Sequence, residues 1–357
     1  MTELILGYAC INSGLSDIRP YIKVNNSCIA ATYRKDPALA ISKAKLNLRN
    51  VLIYLKWNEE KGIRFYRLSS DMFPHLTNPE FITNDSSNDS SKDSSNDASK
   101  DASNDSSNDY AYSLSIFKEE LQAIGQYAKS HGHRITMHPG QFCQIGAQSA
   151  TVFEKTVREL SAHADILDLM GLDLQSVMIV HGGGIYANKN ETILRWIEQF
   201  HRLPEKVKRR LVIENCEHCY SVFDMLAISE KINRPVVFDT HHHACYYEQK
   251  QENPEKTPSE FLPQVIETWT KLGLKPKFHI SEQAIGKKIG AHSDFVYTIP
   301  IYLLNILRSG QPLDLMIEAK AKEQAVLKLY EIYGEFINNR WQLKPQINLA
   351  DIKLTPK

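Results

Sequence analysis

The chain has no apolar run approaching the roughly 18 residues that a membrane span needs. Its first residues, Met1-Thr2-Glu3-Leu4-Ile5-Leu6-Gly7-Tyr8, show no basic region followed by an apolar segment. No secretory leader is therefore expected. Cysteine is scarce, six residues in 357 (Cys10, Cys28, Cys143, Cys216, Cys219, Cys245). That number, without a leader, excludes a disulfide framework and points to a reducing, cytoplasmic setting. Net charge is also missing, at +0. Nothing calls for an obligatory protein partner, and a monomer is expected.

The zero charge conceals an asymmetry. Residues 84–109 repeat the tetrapeptide Asn/Lys-Asp-Ser/Ala-Ser and hold seven Asp against two Lys. The rest of the chain carries 40 basic and 35 acidic residues, a balance that permits a polyanionic partner. The repeat has no apolar side chain larger than Ala and cannot bury a core, so it reads as a disordered insertion in a surface loop.

What the chain does have is a series of short apolar runs that each end in a metal-grade side chain. They close on His138, His181, Glu214, Asp239, His279 and Glu318. Continuous Val/Ile/Leu/Met runs of this length are the pattern of strands buried on both faces. Packing poorly explains an ionisable residue at the last position of each.

Helical patterns separate the runs. Expected strands are Leu4–Tyr8, Ile63–Leu68, Arg134–Met137, Val177–Val180, Leu211–Ile213, Pro235–Phe238, Pro276–Phe278 and Asp314–Ile317. Expected helices cover Pro37–Glu60, Tyr112–Ser130, Ala150–Met170, a segment from near Glu191, Ser221–Lys231, Pro258–Leu272, Thr298–Leu307 and Lys322–Asn338. Eight strand–helix units predict an α/β fold, a (β/α)8 TIM barrel over residues 1–340 with a tail at 341–357. An open doubly wound sheet is the rival, but it would not aim six strand ends at one point. In a barrel those ends form the active face.

Three His with three carboxylates suit Zn, Mn or Fe better than Mg or Ca alone. Carboxylates bridge, so two or three ions are expected. His242 and His292 lie just beyond two of the runs and extend the set. Cys216-Glu217-His218-Cys219 has no second Cys pair and reads as structural. Gly182-Gly183-Gly184 lacks dinucleotide-loop spacing and reads as a tight turn near His181 or a ligand.

The motifs together resemble the UV damage endonucleases of the UVDE/UvsE type. They are Leu6-Gly7-Tyr8-Ala9-Cys10, Tyr66–Pro74, Met137-His138-Pro139-Gly140-Gln141-Phe142, Val180-His181-Gly182-Gly183-Gly184 and Ile213-Glu214-Asn215. Val237–His243, Lys277-Phe278-His279, Gly290-Ala291-His292 and Glu318-Ala319-Lys320 complete them. The acidic repeat is not part of that family's pattern. The resemblance implies a TIM barrel with three divalent metals per chain. Mn²⁺ is the expected ion, with Zn²⁺ or Mg²⁺ as alternatives. Matching ligand positions are His138, His181, Glu214, Asp239, His242, His279, His292 and Glu318. Catalytic roles fall on Glu214, Lys277 and Glu318, with Lys277 matching a lysine that can be carboxylated. Gln141 and Phe142 match a lesion-probing pair. Tyr8 and Asn12 match residues on the damaged-strand side, and Asp71 joins the expected DNA contacts.

The implied reaction is metal-assisted hydrolysis of double-stranded DNA immediately 5′ to UV lesions, leaving 3′-hydroxyl and 5′-phosphate ends. Cyclobutane pyrimidine dimers, 6-4 photoproducts and abasic sites are the implied substrates. Three rivals stand beside it. They are an abasic-site endonuclease of the endonuclease IV type, a two-metal sugar isomerase, and a non-catalytic damage-binding or metal-storage protein.

Overall fold

The structure is a computed structural model, and it describes residues 4–17, 19–82 and 110–334. The expected insertion at 84–109, the tail at 341–357 and the barrel boundary at 340 lie outside the described residues.

The apolar runs become strands β1 (Leu4–Ala9), β2 (Phe65–Leu68), β3 (Arg134–Met137), β4 (Met178–His181), β5 (Leu211–Glu214), β6 (Val236–Val237), β7 (Lys277–Ile280) and β8 (Leu313–Ile317). All pairings are parallel, in the order β6-β5-β4-β3-β2-β1-β8-β7. The ends of that sheet meet. Asp239, just past β6, bridges His279 of β7 in parallel, and the His279 N–H donates to the Phe238 carbonyl at 3.0 Å. The ring is closed, which rules out the open doubly wound sheet.

Helices alternate with strands: Pro37–Glu60, Lys118–His131, Ala150–Leu169, Lys189–His201, Val222–Ile232, Pro258–Thr270, Ile301–Arg308 and Glu323–Ile332. Their starts follow local chemistry. Asp36 caps the first by accepting from the Leu39 N–H, with Pro37 at the first helical position. Ser221 with Asp224, and Thr257 with Glu260, form reciprocal capping boxes.

Most element ends shift by a few residues, and two departures go further. The segment expected as one helix over Tyr112–Ser130 opens with a 3₁₀ turn, Leu114–Phe117. An additional helix, Thr240–Lys250, follows β6 directly. Its His-His-His and Tyr-Tyr content carries no apolar stripe. What starts it is a cap: Asp239 accepts from the His242 N–H at 2.7 Å.

The N-terminal end of the barrel is plugged by charge. Arg134 pairs with Asp314 at 2.8 Å and Lys275 reaches the same carboxylate at 2.5 Å. The Arg134 guanidinium also lies 5.8 Å from the Phe65 ring centroid and 5.7 Å from that of Trp269. With that end closed, the parallel strands deliver their C-terminal residues to a single open mouth.

Candidate metal centre

Glu214, the last residue of β5, is fully buried at the centre of the mouth. His138, one residue beyond β3, places Nε2 at 3.1 Å from Glu214 Oε2. His181, ending β4, places Nε2 at 3.9 Å from the same oxygen. On the other side His279 Nδ1 lies 2.8 Å from Glu214 Oε1, and His242 Nδ1 lies 3.6 Å from it. Asp239 Oδ2 stands 3.7 Å from His242 Nδ1 and 4.0 Å from His279 Nδ1. Glu318 Oε1 is 3.2 Å from His279 Nδ1. Seven of the eight expected ligand positions therefore converge. The eighth, His292, flanks the cluster, its ring 6.2 Å from that of His242.

Two triads have ligand atoms all within 4.8 Å of one another: His138, His181, Glu214 and Glu214, Asp239, His279. Glu214 belongs to both, as a bridging carboxylate would. These groups could hold divalent metal ions. The hydrogen bonding agrees: Asp239 Oδ2 and His181 Nδ1 are buried with no hydrogen-bond partner. Such orphans cost free energy unless something else satisfies them.

Protonation favours the same reading. Burial holds the imidazoles of His138 and His279 well below the usual range and that of His181 at about 4. They are neutral at pH 7, the state a metal ligand requires. Burial likewise pushes the Glu214 carboxyl up, aided by Glu318 and Asp239 nearby. His242 behaves differently. Burial would lower it, but Asp239, Glu214 and Glu318 together raise it to about 10.

Three nearby groups carry further chemistry. Lys277 begins β7 and shares a strand face with His279, two residues on. Its Nζ is 2.8 Å from His279 Nε2, and burial beside Arg67 holds the amine well below its usual range. Arg67, in β2, donates to Glu318. Burial alone would raise the Glu318 carboxyl, yet Arg67 holds it well below the carboxylate range. Glu217, half-buried in the loop after β5, reaches to 3.8 Å from His242 Nε2. Arg67 and Glu217 were not expected. Arg67 sits inside an apolar run instead of at its end, and Glu217 lies in a loop with no periodic signal.

Beside the cluster a pocket of about 260 Å³ opens between the loops after β3, β4 and β5, lined by Pro139, Gln141, Gln144, His181, Gly183 and Glu217 among others. Gln141 is exposed and lines it, and the next residue, Phe142, is 63% exposed. The Phe142 ring lies back over Gly140, where a Cβ would come within 2.4 Å of it. Asp71 is exposed just past β2.

Tyr8 and Asn12 are not at this surface. Both are fully buried, with Tyr8 Oη donating to Asn58 at 2.8 Å and accepting from Asn12 at 3.2 Å. In this conformation they brace the wall between β1 and the first long helix. The glycine run is the expected turn, with Gly183 at φ +83°. At Gly182 a Cβ would meet the Tyr220 ring at 2.4 Å. Cys216 Sγ accepts from the backbone N–H groups of Cys219 and Tyr220, each at 3.2 Å, which gives the Cys pair a turn-forming role.

Comparison with known proteins bears on this site. The model of the family described as UV-endonuclease UvdE matches residues 4–88 and 103–343. A protein of Acanthamoeba polyphaga mimivirus, provisionally named a UV-damage endonuclease, is 35% identical over 94% of this chain and 92% of its own. The UV-damage endonuclease of Schizosaccharomyces pombe is 34% identical over 92% of this chain, which spans 50% of that longer protein. Among solved structures, SacUVDE superposes with a TM-score of 0.73 at 28% identity, covering 93% of this chain and 99% of its own. The chain belongs to the UV-endonuclease UvdE family.

Proposed function

We propose that the barrel mouth hydrolyses one phosphodiester bond of duplex DNA immediately 5′ to a UV lesion, leaving 3′-hydroxyl and 5′-phosphate ends. Family membership supports the activity class. The observation that carries the reading is a juxtaposition. Glu214, with four imidazoles around its carboxylate, lies beside a pocket lined by His181 and Gln141, and the residue after Gln141, Phe142, is exposed. An exposed aromatic ring there offers a stacking surface to a base.

His138, His181, Glu214, Asp239, His242, His279 and Glu318, with His292 at the flank, would hold the divalent metals, and Mn²⁺ suits this mixed donor set. Bound there, such ions supply Lewis acidity toward the phosphate and acidify a water to serve as nucleophile. The chain's own residues prepare that chemistry. Three neutral imidazoles leave nitrogen lone pairs available. Arg67 keeps Glu318 ionised. A neutral Lys277 amine can accept a hydrogen bond from the Nε2–H of His279, fixing the tautomer that leaves Nδ1 free for a cation. A neutral amine is also the form that reacts with carbon dioxide, so the same burial supports carboxylation of Lys277. Damaged bases stack poorly and cost less to extrude than normal ones. Phe142 fills the resulting gap by stacking, and Gln141 hydrogen-bonds the bases left unpaired. Cyclobutane pyrimidine dimers, 6-4 photoproducts and abasic sites all meet that requirement.

The test is incision of a duplex oligonucleotide carrying one cyclobutane pyrimidine dimer, with and without Mn²⁺, and with the cut mapped at nucleotide resolution. A Mn²⁺-dependent cut at the 5′ side of the dimer is expected. Incision of an abasic duplex alone would convert the assignment to an endonuclease IV type, and no incision of either would remove it.

A further inference from the structure

We propose that the hairpin Gln283–His292 is a second DNA wedge, offering Ile285 to the bases and Lys287 and Lys288 to the phosphates. It rests on the reading of the site as a DNA endonuclease. Ile285 is 100% exposed, more than any other large apolar side chain among the described residues. A single exposed apolar residue is ordinary on a protein surface. This one is set apart by how firmly its loop is built.

Gln283 and His292 form an antiparallel bridge at the hairpin base. The Gln283 side chain spans the interior, donating to the Lys288 carbonyl at 2.9 Å and accepting from the Gly290 N–H at 2.9 Å. Ala284 N–H donates to Ala291 at 2.7 Å, and Ala291 N–H donates to Lys288 at 3.0 Å. Gly286 and Gly290 take φ values of +68° and +88° that only glycine adopts readily. The loop is therefore fixed by its own bonds, with Ile285 held outward at the tip.

Three observations say what it meets. First, β7 and β3 are four strands apart in a ring of eight, so Ile285 and Phe142 rise on opposite sides of the mouth with Glu214 between them. Second, the hairpin base is continuous with the candidate metal centre: it carries His292, and Gly290 packs toward Glu217. Third, Lys287 and Lys288 are exposed, make no ion pair among the described residues, and have no acidic neighbour within the hairpin. An apolar tip flanked by unpaired lysines fits a duplex whose bases are being parted, as isoleucine wedges do in other DNA-bending proteins.

The experiment uses the full chain without added metal and a duplex carrying one cyclobutane pyrimidine dimer. Binding is followed by anisotropy over a salt series, and unstacking by 2-aminopurine scanned along both strands. Ile285→Ala should bind about tenfold more weakly. It should also lose 2-aminopurine enhancement at positions other than those silenced by Phe142→Ala, while Ile285→Phe restores both signals. Replacing Lys287 and Lys288 with Ala should lower the slope of log affinity against log salt by about two. Wild-type behaviour in both Ile285→Ala and the double lysine variant overturns the wedge alone. A wild-type chain that binds neither damaged nor undamaged duplex overturns the wedge together with the DNA-repair reading.

Discussion

Arg67 donates to Glu318 Oε1, the same oxygen that lies 3.2 Å from His279 Nδ1. One carboxylate atom is thus shared between a permanent cation in β2 and a ligand position in β7. Removing Arg67 leaves a buried carboxylate uncompensated, which costs about 3 kcal/mol. A bound divalent ion would supply much of the missing charge. Arg67→Met should therefore destabilise the chelator-treated protein strongly and the Mn²⁺-loaded protein much less. Thermal unfolding of both forms measures this, and an equal loss in the two would argue against metal at Glu318.

Glu214 offers a sharper test of the same centre. Glu214→Gln keeps the shape, exchanges one acceptor oxygen for an NH2 donor, and removes the charge shared by both ligand triads. Loss of even outer partners of metal ligands costs about 10- to 100-fold, so incision should fall by at least that much. Circular dichroism should be unchanged, and bound Mn²⁺ measured by elemental analysis should drop. Near-normal incision with full metal content would sink the bridging role.

The sequence made the barrel and its ligand ring legible for one reason. An ionisable residue that ends an apolar run advertises both the strand and the end at which it works. His138, His181, Glu214, Asp239, His279 and Glu318 all carry that signal. Arg67 and Lys277 also face the centre but lie within or at the start of their strands, where a long cation is indistinguishable from an edge residue. Lys277 came into view only through the family resemblance, and Arg67 not at all. The helix Thr240–Lys250 was hidden because its start depends on a capping bond from Asp239, itself a candidate ligand. Tyr8 and Asn12 show the converse. A motif match implies a role toward DNA, and burial and internal hydrogen bonding, which a motif does not announce, engage their polar atoms with each other and with Asn58.

Stability should fall with acid in a way traceable to one pair that precedes β3, away from the strand ends that form the candidate metal centre. His133 Nε2 lies 3.0 Å from Glu59 Oε2, while His133 Nδ1 is buried without a partner. Burial holds this imidazole at about 4, against a usual value of 6.5. The folded state thus favours the neutral form. Its contribution is fully present above pH 6.5 and is lost as pH falls through 4. Over that window it amounts to about 3 kcal/mol. Glu59, held at about 2 by its hydrogen bonds from Arg64, adds a second loss below pH 4.5. Urea unfolding across pH should show His133→Gln declining less than wild type between pH 6.5 and 4. Parallel curves would exclude the pair as the cause.

Gly140 decides where Phe142 can lie. A Cβ at position 140 would stand 2.4 Å from the Phe142 ring, well inside contact distance, while the Gly140 backbone itself needs no glycine-only conformation. Gly140→Ala should therefore leave the fold intact and push the ring off its resting place. If Phe142 probes for lesions by stacking, the displacement removes an interaction of about 1–3 kcal/mol. Preference for dimer-containing over undamaged duplex should then fall by about tenfold. Phe142→Ala should do the same. The informative variant is the double one. Because both changes act on a single ring, their effects should not add, and the double variant should discriminate no worse than Phe142→Ala alone. Additive losses in competition binding would mean that Gly140 acts on the DNA independently of the ring, and an undiminished preference in Phe142→Ala would mean that the ring is ordinary surface packing.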